Sequence, residues 1–241
     1  MKISVIVPAF NEEKLIAESL ESICQAMETF AGRGWEGELI VCDNNSTDRT
    51  AELARAAGAM VVFEPVNQIA RARNKGAAAA SGDWLVFVDA DSQPSRELFE
   101  EMMDTIQAGR HLAGGCTLKL AGSHGLAGWI ASGWNWVSRI GCYAAGSFIF
   151  CEAAAFREIG GFDNQLYATE ELDLSRRLKR LAGKTGKRMI ILHRHPLVTS
   201  ARKIHLYSRR EHLRFLARAI LRWRRTLTDR DACHTWYDGR R

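Results

Sequence analysis

The stretch Trp84-Leu85-Val86-Phe87-Val88-Asp89-Ala90-Asp91 decides how this chain is read. Its five leading apolar residues, mostly β-branched or aromatic, predict a strand buried on both faces. The strand ends in two carboxylates one residue apart. Pro94 and the helical spacing of Leu98, Met102 and Ile106 place a helix start just beyond. Open α/β sheets bind their ligands at such strand ends. Two carboxylates separated by a small alanine suit a hard divalent cation that keeps its other positions for water and a diphosphate. A solitary Asp-x-Asp after a strand is also an ordinary exposed turn, so the neighbouring segments decide between the two.

Those segments repeat the pattern. Residues 3–8 predict a first buried strand, with Ala9-Phe10-Asn11-Glu12-Glu13 as its turn and Leu15, Ile16, Leu20, Ile23 and Met27 following at helical spacing. Residues 38–42 predict a second strand ending in Asp43-Asn44-Asn45-Ser46-Thr47-Asp48, where Ser46 or Thr47 is placed to cap the helix containing Leu53. A third strand is expected over 59–63, and an Ala-rich basic helix with Arg71, Arg73 and Lys75 over 67–81. Strands therefore alternate with helices every 20 to 30 residues or roughly so, the pattern of βαβ units and a mostly parallel sheet. Asp43, Asp89 and Asp91 then share one sheet edge, where they repel each other unless a cation or hydrogen-bond donors compensate.

Further on, 111–120, 148–151 and 188–192 read as strands, the last leading into a loop with His193 and His195. Trp129, Trp134 and Trp136 lie in a segment that is either an amphipathic helix lining an acceptor groove or core filling. Gly160-Gly161 is a turn, and Thr169-Glu170-Glu171 opens a helix with two carboxylates in its first turn, where the helix dipole favours them.

With 241 residues, 46% hydrophobic and 25% charged, the chain has the make-up of a globular protein of one sizeable domain or two small ones. No run approaches the roughly 18 apolar residues that span a bilayer, and the N-terminal apolar run is too short for a signal peptide. Six scattered cysteines without a Cys-x-x-Cys pair argue against a zinc site or a disulfide framework, and for reduced thiols in the cytoplasm. The net charge of +5 hides a division: residues 176–241 hold 20 Lys+Arg against 4 Asp+Glu, whereas the first 175 hold 13 against 24. An anionic partner is expected at the tail: a membrane surface, a phosphorylated acceptor or, as the least favoured, nucleic acid. There Leu213, Leu216, Ala217 and Ile220 share a helical face with arginines elsewhere. This is a basic amphipathic helix for anionic lipid, or one docked on the domain with a solvated arginine face.

Six pieces, in order, resemble the motifs of family 2 glycosyltransferases. They are Val5-Ile6-Val7-Pro8-Ala9-Phe10-Asn11-Glu12, Val41-Cys42-Asp43-Asn44-Asn45-Ser46-Thr47-Asp48, Ala72-Arg73-Asn74-Lys75-Gly76, Phe87-Val88-Asp89-Ala90-Asp91, Gly160-Gly161-Phe162 and Glu170-Glu171-Leu172-Asp173-Leu174. The resemblance implies an α/β chain of the GT-A fold, a Rossmann-like, mostly parallel sheet flanked by helices over 1–205. A basic helical C-terminal extension over 206–241 follows. It implies an inverting, metal-dependent, hexosyltransferase-like enzyme that moves a sugar from a UDP- or GDP-sugar onto a hydroxyl of a carbohydrate or lipid-linked acceptor. The setting it implies is cell-envelope polysaccharide or glycolipid synthesis, in the cytoplasm and peripheral at the inner membrane face.

By residue, the resemblance implies that Pro8, Phe10 and Glu12 line the nucleotide pocket and that Asp43 accepts a hydrogen bond from the base. Arg73 is expected near the nucleotide or its phosphates. Asp89 faces the ribose or sugar and shares the Asp-x-Asp site with Asp91, which holds Mg²⁺ or Mn²⁺ against the diphosphate. The family's acidic pair ends in an aspartate general base; here that position is Glu171, one methylene longer, with Glu170 as its neighbour. His193, His195 and His205 are candidates for a late metal ligand. In Thr199-Ser200-Ala201-Arg202-Lys203, Arg202 and Lys203 are expected to clamp the diphosphate. Two other readings fit the sequence less well. A nucleotidyltransferase needs a Gly-rich basic loop after the first strand, which Pro8-Ala9-Phe10-Asn11-Glu12-Glu13 is not. A nucleotide-sugar-binding module without catalysis, anchored by its arginine-rich tail, fits the departure at Glu171 but not the retained Asp89 and Asp91.

Overall fold

A computed structural model describes residues 1–121, 126–200, 227–229 and 233, the side chains of 126–131 excepted. Arg202, Lys203, His205, the expected boundary at 205 and nearly all of the basic extension lie outside the described residues. The chain runs β1 (Lys2–Ala9), α1 (Ile16–Met27), a 3₁₀ helix (Glu28–Arg33), β2 (Glu36–Asp43), α2 (Thr50–Ala56), β3 (Met60–Phe63), α3 (Ile69–Ala79) and β4 (Trp84–Val88). It continues through β5 (Ser92–Gln93), α4 (Arg96–Gln107), β6 (His111–Leu120), α5 (Leu126–Gly141), β7 (Phe148–Glu152), α6 (Ala153–Glu158), α7 (Glu170–Lys184) and β8 (Arg188–Thr199). The strands form one sheet in the order β3-β2-β1-β4-β7-β6-β8-β5. β3, β2, β1 and β4 are mutually parallel, as is the pair β6 and β8, while β7 runs antiparallel between β4 and β6.

Strand alternation divides the core. Ile3, Val5, Val7, Trp84, Val86 and Val88 face a layer built from α1 and α4, with Leu20, Ile23, Phe99 and Met102. Ile6, Leu85 and Phe87 face the opposite layer with Ala70 and Ala77 of α3 and Leu174 and Leu178 of α7. Every residue of β4 is buried, as its uninterrupted apolar run requires. α3 lies unusually close to β1: a Cβ at Gly76 would fall 2.5 Å from Ile6 Cγ2. The small residues of α3 thus set how near its Arg73 comes to the sheet.

Two local expectations change. α2 is not capped by Ser46 or Thr47. Asp48 Oδ1 accepts from the Thr50 amide at 2.9 Å and from the Thr50 hydroxyl at 2.5 Å, and the helix begins there. The last strand does not stop at Leu192. Its pairing with β6 jumps from Cys116–Leu192 to Leu118–Leu197, so His193, Arg194 and Pro196 bulge outward and the strand resumes to Thr199. At this irregularity Asn135 of α5 completes the bonding of Leu118, accepting from its amide and donating to its carbonyl, both at 2.9 Å. The tryptophan segment is helical, as α5, with Trp134 half-buried and Trp136 exposed. All six cysteines are free. Among the described residues no helix is long and apolar enough to cross a membrane.

Candidate active site

Register gathers the predicted carboxylates. Ala9 of β1 lies beside Asp43 of β2, and Ile6 beside Phe87 of β4, so Asp89 follows at the same edge. Because β7 is antiparallel, Phe148 starts opposite Val88, which brings the 144–147 turn to that edge as well.

The Asp43 side of the edge is two turns tied together. Asp43 is buried, and its Oδ1 accepts from the Ser46 amide at 3.0 Å. Asn11 and Asn45 take left-handed backbone (φ 51° and 67°), a conformation asparagine tolerates. Asn11 donates its amide to Ser46 Oγ at 3.0 Å and accepts the Thr47 amide on Oδ1 at 2.8 Å. The amide of Glu12, itself buried, donates to Thr50 Oγ1 at 2.8 Å. Pro8 is buried within β1 beyond the stretch paired with β4, where its missing N–H costs no ladder bond, and Phe10 is half-buried in the turn.

Strand alternation turns Asp89 toward the α3 and α7 layer, where Leu85 and Phe87 also point. There Arg73 Nη2 donates to Asp89 Oδ1 and to the Gly146 carbonyl, both at 2.9 Å, and Nη1 donates to Glu170 Oε1 at 2.8 Å. The guanidinium also lies 5.2 Å from the ring centre of Phe162, whose ring meets Phe87 edge-on. Burial opposes the charge of Arg73, but Asp89, Glu170 and Glu171 outweigh it and raise its pKa further. Arg73 is expected near the nucleotide or its phosphates; in the structure its terminal nitrogens donate to Asp89, Glu170 and the Gly146 carbonyl.

Glu170 is buried in that ion pair, whereas Glu171 is half-buried beside it. Burial, and then the Glu170 carboxylate, push the Glu171 carboxyl up to about 8, with Arg73 pulling the other way. Thr169, just before the pair, has φ 62° and makes no side-chain cap, an unusual backbone for a β-branched residue. The preceding loop is pinned by residues that sequence reasoning passed over. Asn74 donates to the Phe162 carbonyl and accepts from its amide, and Gln68 Nε2 donates to the carbonyls of Asn164 and Leu166. Polar side chains inside an Ala-rich helix were the available signal. Leu227 and Cys233 are buried against Leu166, Tyr167 and Ala168, and the Leu227 carbonyl accepts from the Tyr167 amide at 2.7 Å.

At the Asp-x-Asp end, Asp91 is half-buried and its carbonyl accepts from the Ser200 amide at 3.1 Å, so the end of β8 adjoins it. Among the described residues no three His, Cys, Asp or Glu side chains form a group able to hold a metal. The strand end therefore offers hard oxygens but no closed cage, which fits Mg²⁺ or Mn²⁺ ligated mainly by water and a diphosphate. His193 and His195 belong to β8, before Thr199, and His195 is within electrostatic reach of Glu97 on α4.

This geometry, a Rossmann-like sheet with an Asp-x-Asp at one strand end and an acidic pair at a facing helix start, defines the GT-A class. The family model described as glycosyl transferase family 2 matches residues 4–145, more than half of the chain. The chain belongs to glycosyl transferase family 2. It is 33% identical over 121 residues to a dolichol-phosphate mannosyltransferase of Pyrococcus furiosus, covering 47% of this chain and 32% of that protein. It is 32% identical over 139 residues to an uncharacterized glycosyltransferase of Mycobacterium tuberculosis, covering 58% of this chain and 55% of that one. The chain thus spans about a third to a half of these curated relatives. Among solved structures, Staphylococcus aureus TarS 1–349 superposes with TM-score 0.65 at 20% identity, over 90% of this chain and 64% of that one. Glucosyl-3-phosphoglycerate synthase of M. tuberculosis, in complex with Mn²⁺, UDP and glucosyl-3-phosphoglycerate, gives 0.63 at 20% identity over 97% and 80%. The mannosyltransferase PcManGT of Pyrobaculum calidifontis, in complex with GDP-Man and Mn²⁺, gives 0.63 at 21% identity over 98% and 73%.

Proposed function

We propose that this chain transfers a hexose from a UDP- or GDP-sugar to an acceptor hydroxyl with inversion, using Mg²⁺ or Mn²⁺. The observation that carries the reading is the convergence of Asp89 and Glu170, the neighbour of Glu171, on one guanidinium, which joins the donor-side strand end to the acceptor-side helix start. Asp43 orients the base, Pro8, Phe10 and Glu12 shape its pocket, and Asp89 orients the sugar. Asp91 with Asp89 would hold the cation, which when bound neutralises the leaving diphosphate. Glu171, its proton affinity raised, takes the proton of the attacking hydroxyl on the face opposite the diphosphate. Relatives with UDP, GDP-Man and Mn²⁺ in their complexes support the donor and metal class. The name of the dolichol-phosphate mannosyltransferase supports a lipid-linked acceptor. The arginine-rich tail 206–241 supports a setting at the cytoplasmic face of the envelope, with the tail resting on anionic lipid and Arg202 and Lys203 on the diphosphate.

A thermal-shift panel of UDP, GDP and their common sugars with and without Mn²⁺, followed by assay of nucleotide diphosphate release, tests the reading. A metal-dependent shift with one nucleotide class is expected, lost in Asp91→Ala and kept in Glu171→Gln, with both variants inactive. Full turnover by Glu171→Gln, or by chelator-treated protein, sinks it.

A further inference from the structure

Arg73 heads the large side chains buried completely among the described residues. It is 1% exposed, against 19% for Asp89. Its contacts come from the end of β4, the turn before β7 and the start of α7. The approach to that turn depends on a missing side chain, since a Cβ at Gly146 would lie 2.9 Å from Nη2. Both protons of Nη2 are committed, and Nε is buried without a partner. A phosphate ligand needs an open fork; this one is closed by protein.

We infer that Arg73 is a positioning residue rather than a donor ligand: its planar fork fixes the spacing between Asp89 and Glu170, and through Glu170 the placement of Glu171. The inference rests on the reading of Glu171 as the base. A lysine retains the charge but has no rigid fork to hold two carboxylates and a carbonyl at fixed separation. Misplacing a catalytic group by about 1 Å costs about 100-fold in rate. The charged groups known to face Glu171 are Glu170 on its own helix, Arg73 on α3 and Asp89 at the end of β4.

The test compares Arg73→Lys, Arg73→Met and Arg73→Met with Glu170→Gln, the last removing a carboxylate that the methionine would strand. For each, UDP or GDP affinity without metal, which a displaced Asp89 does not weaken through the cation, donor KM, kcat and the pH profile of kcat/KM are measured. In Arg73→Lys, nucleotide affinity stays within about threefold while kcat falls about 100-fold. In Arg73→Met the limb of the profile assigned to Glu171 moves upward, because the cation no longer offsets its neighbours; in Arg73→Lys it moves less. Nucleotide affinity falling in step with kcat in Arg73→Lys would mark a phosphate ligand and overturn the inference. So would wild-type kcat in any folded Arg73 variant, or an unmoved limb in Arg73→Met. Failure of the base reading is separable, because it shows as turnover by Glu171→Gln whatever the Arg73 variants do.

Discussion

Thr169 and Glu171 are two residues apart, and each is held in a state it would leave if isolated. A left-handed backbone at a non-glycine residue costs about 1–3 kcal/mol, and Thr169 recovers nothing through a side-chain cap. Thr169→Gly should therefore raise the melting midpoint by about 2–4 °C and lower kcat, because the turn that aims the acidic pair loosens. A lower midpoint would mean that the strain is not there. Glu171 gives a pH dependence whose sign is fixed. Its carboxyl, raised to about 8 in the free protein, is mostly protonated at neutrality and a poor base, so kcat/KM rises as pH climbs through that value. Stability moves oppositely. A carboxyl raised in the folded state stabilises it below the unfolded value of about 4.3, and that contribution is lost as pH rises through about 8. Melts from pH 5 to 9 should show the wild type losing ground against Glu171→Gln; parallel curves would remove the shift.

At the scale of elements, the decisive approach is α3 on β1. The Cβ of Gly76→Ala would collide with Ile6, so a cost of about 1–3 kcal/mol from overpacking is expected, outweighing the gain in helix propensity of about 1 kcal/mol. Turnover should fall with it, since Arg73 lies one turn upstream; a more stable Gly76→Ala protein would show the contact to be looser. Much of this architecture was legible. The runs of β1, β2 and β4 and the spacing of α1 and α4 state which faces they bury, and local period is a property of neighbours in sequence. What was not legible depends on distance. Arg73 is 16 residues from Asp89 and 97 from Glu170, so nothing local marks its commitment to both. The antiparallel course of β7, the outward bulge of β8 and the Asn135 contact follow from register between strands far apart in the chain. The start of α2 is hard to place because Ser46, Thr47 and Asp48 all have capping chemistry; Asn11 engages Ser46 and Thr47, which leaves Asp48 to accept from the Thr50 amide.

For the molecule as a whole, Leu227 and Cys233 bring the C-terminal region back to the loop before Glu170. Truncation after Tyr207 should lower the melting midpoint and turnover together, while also removing the arginines proposed to meet anionic vesicles. Leu227→Ala should lose about 2–5 kcal/mol of stability and keep vesicle binding; equal stability in the two proteins would mean that the return contact holds nothing. The closed group of Asp89, Arg73 and Glu170 carries a consequence for lineages. Removing one member strands an uncompensated buried charge at a cost of about 3–5 kcal/mol, whereas exchanging a whole buried ionic group for apolar residues can be nearly neutral. Divergence at these three positions should therefore be concerted: homologues keep all three or replace them jointly, and intermediates carrying one orphaned member should be rare among sequences that still fold.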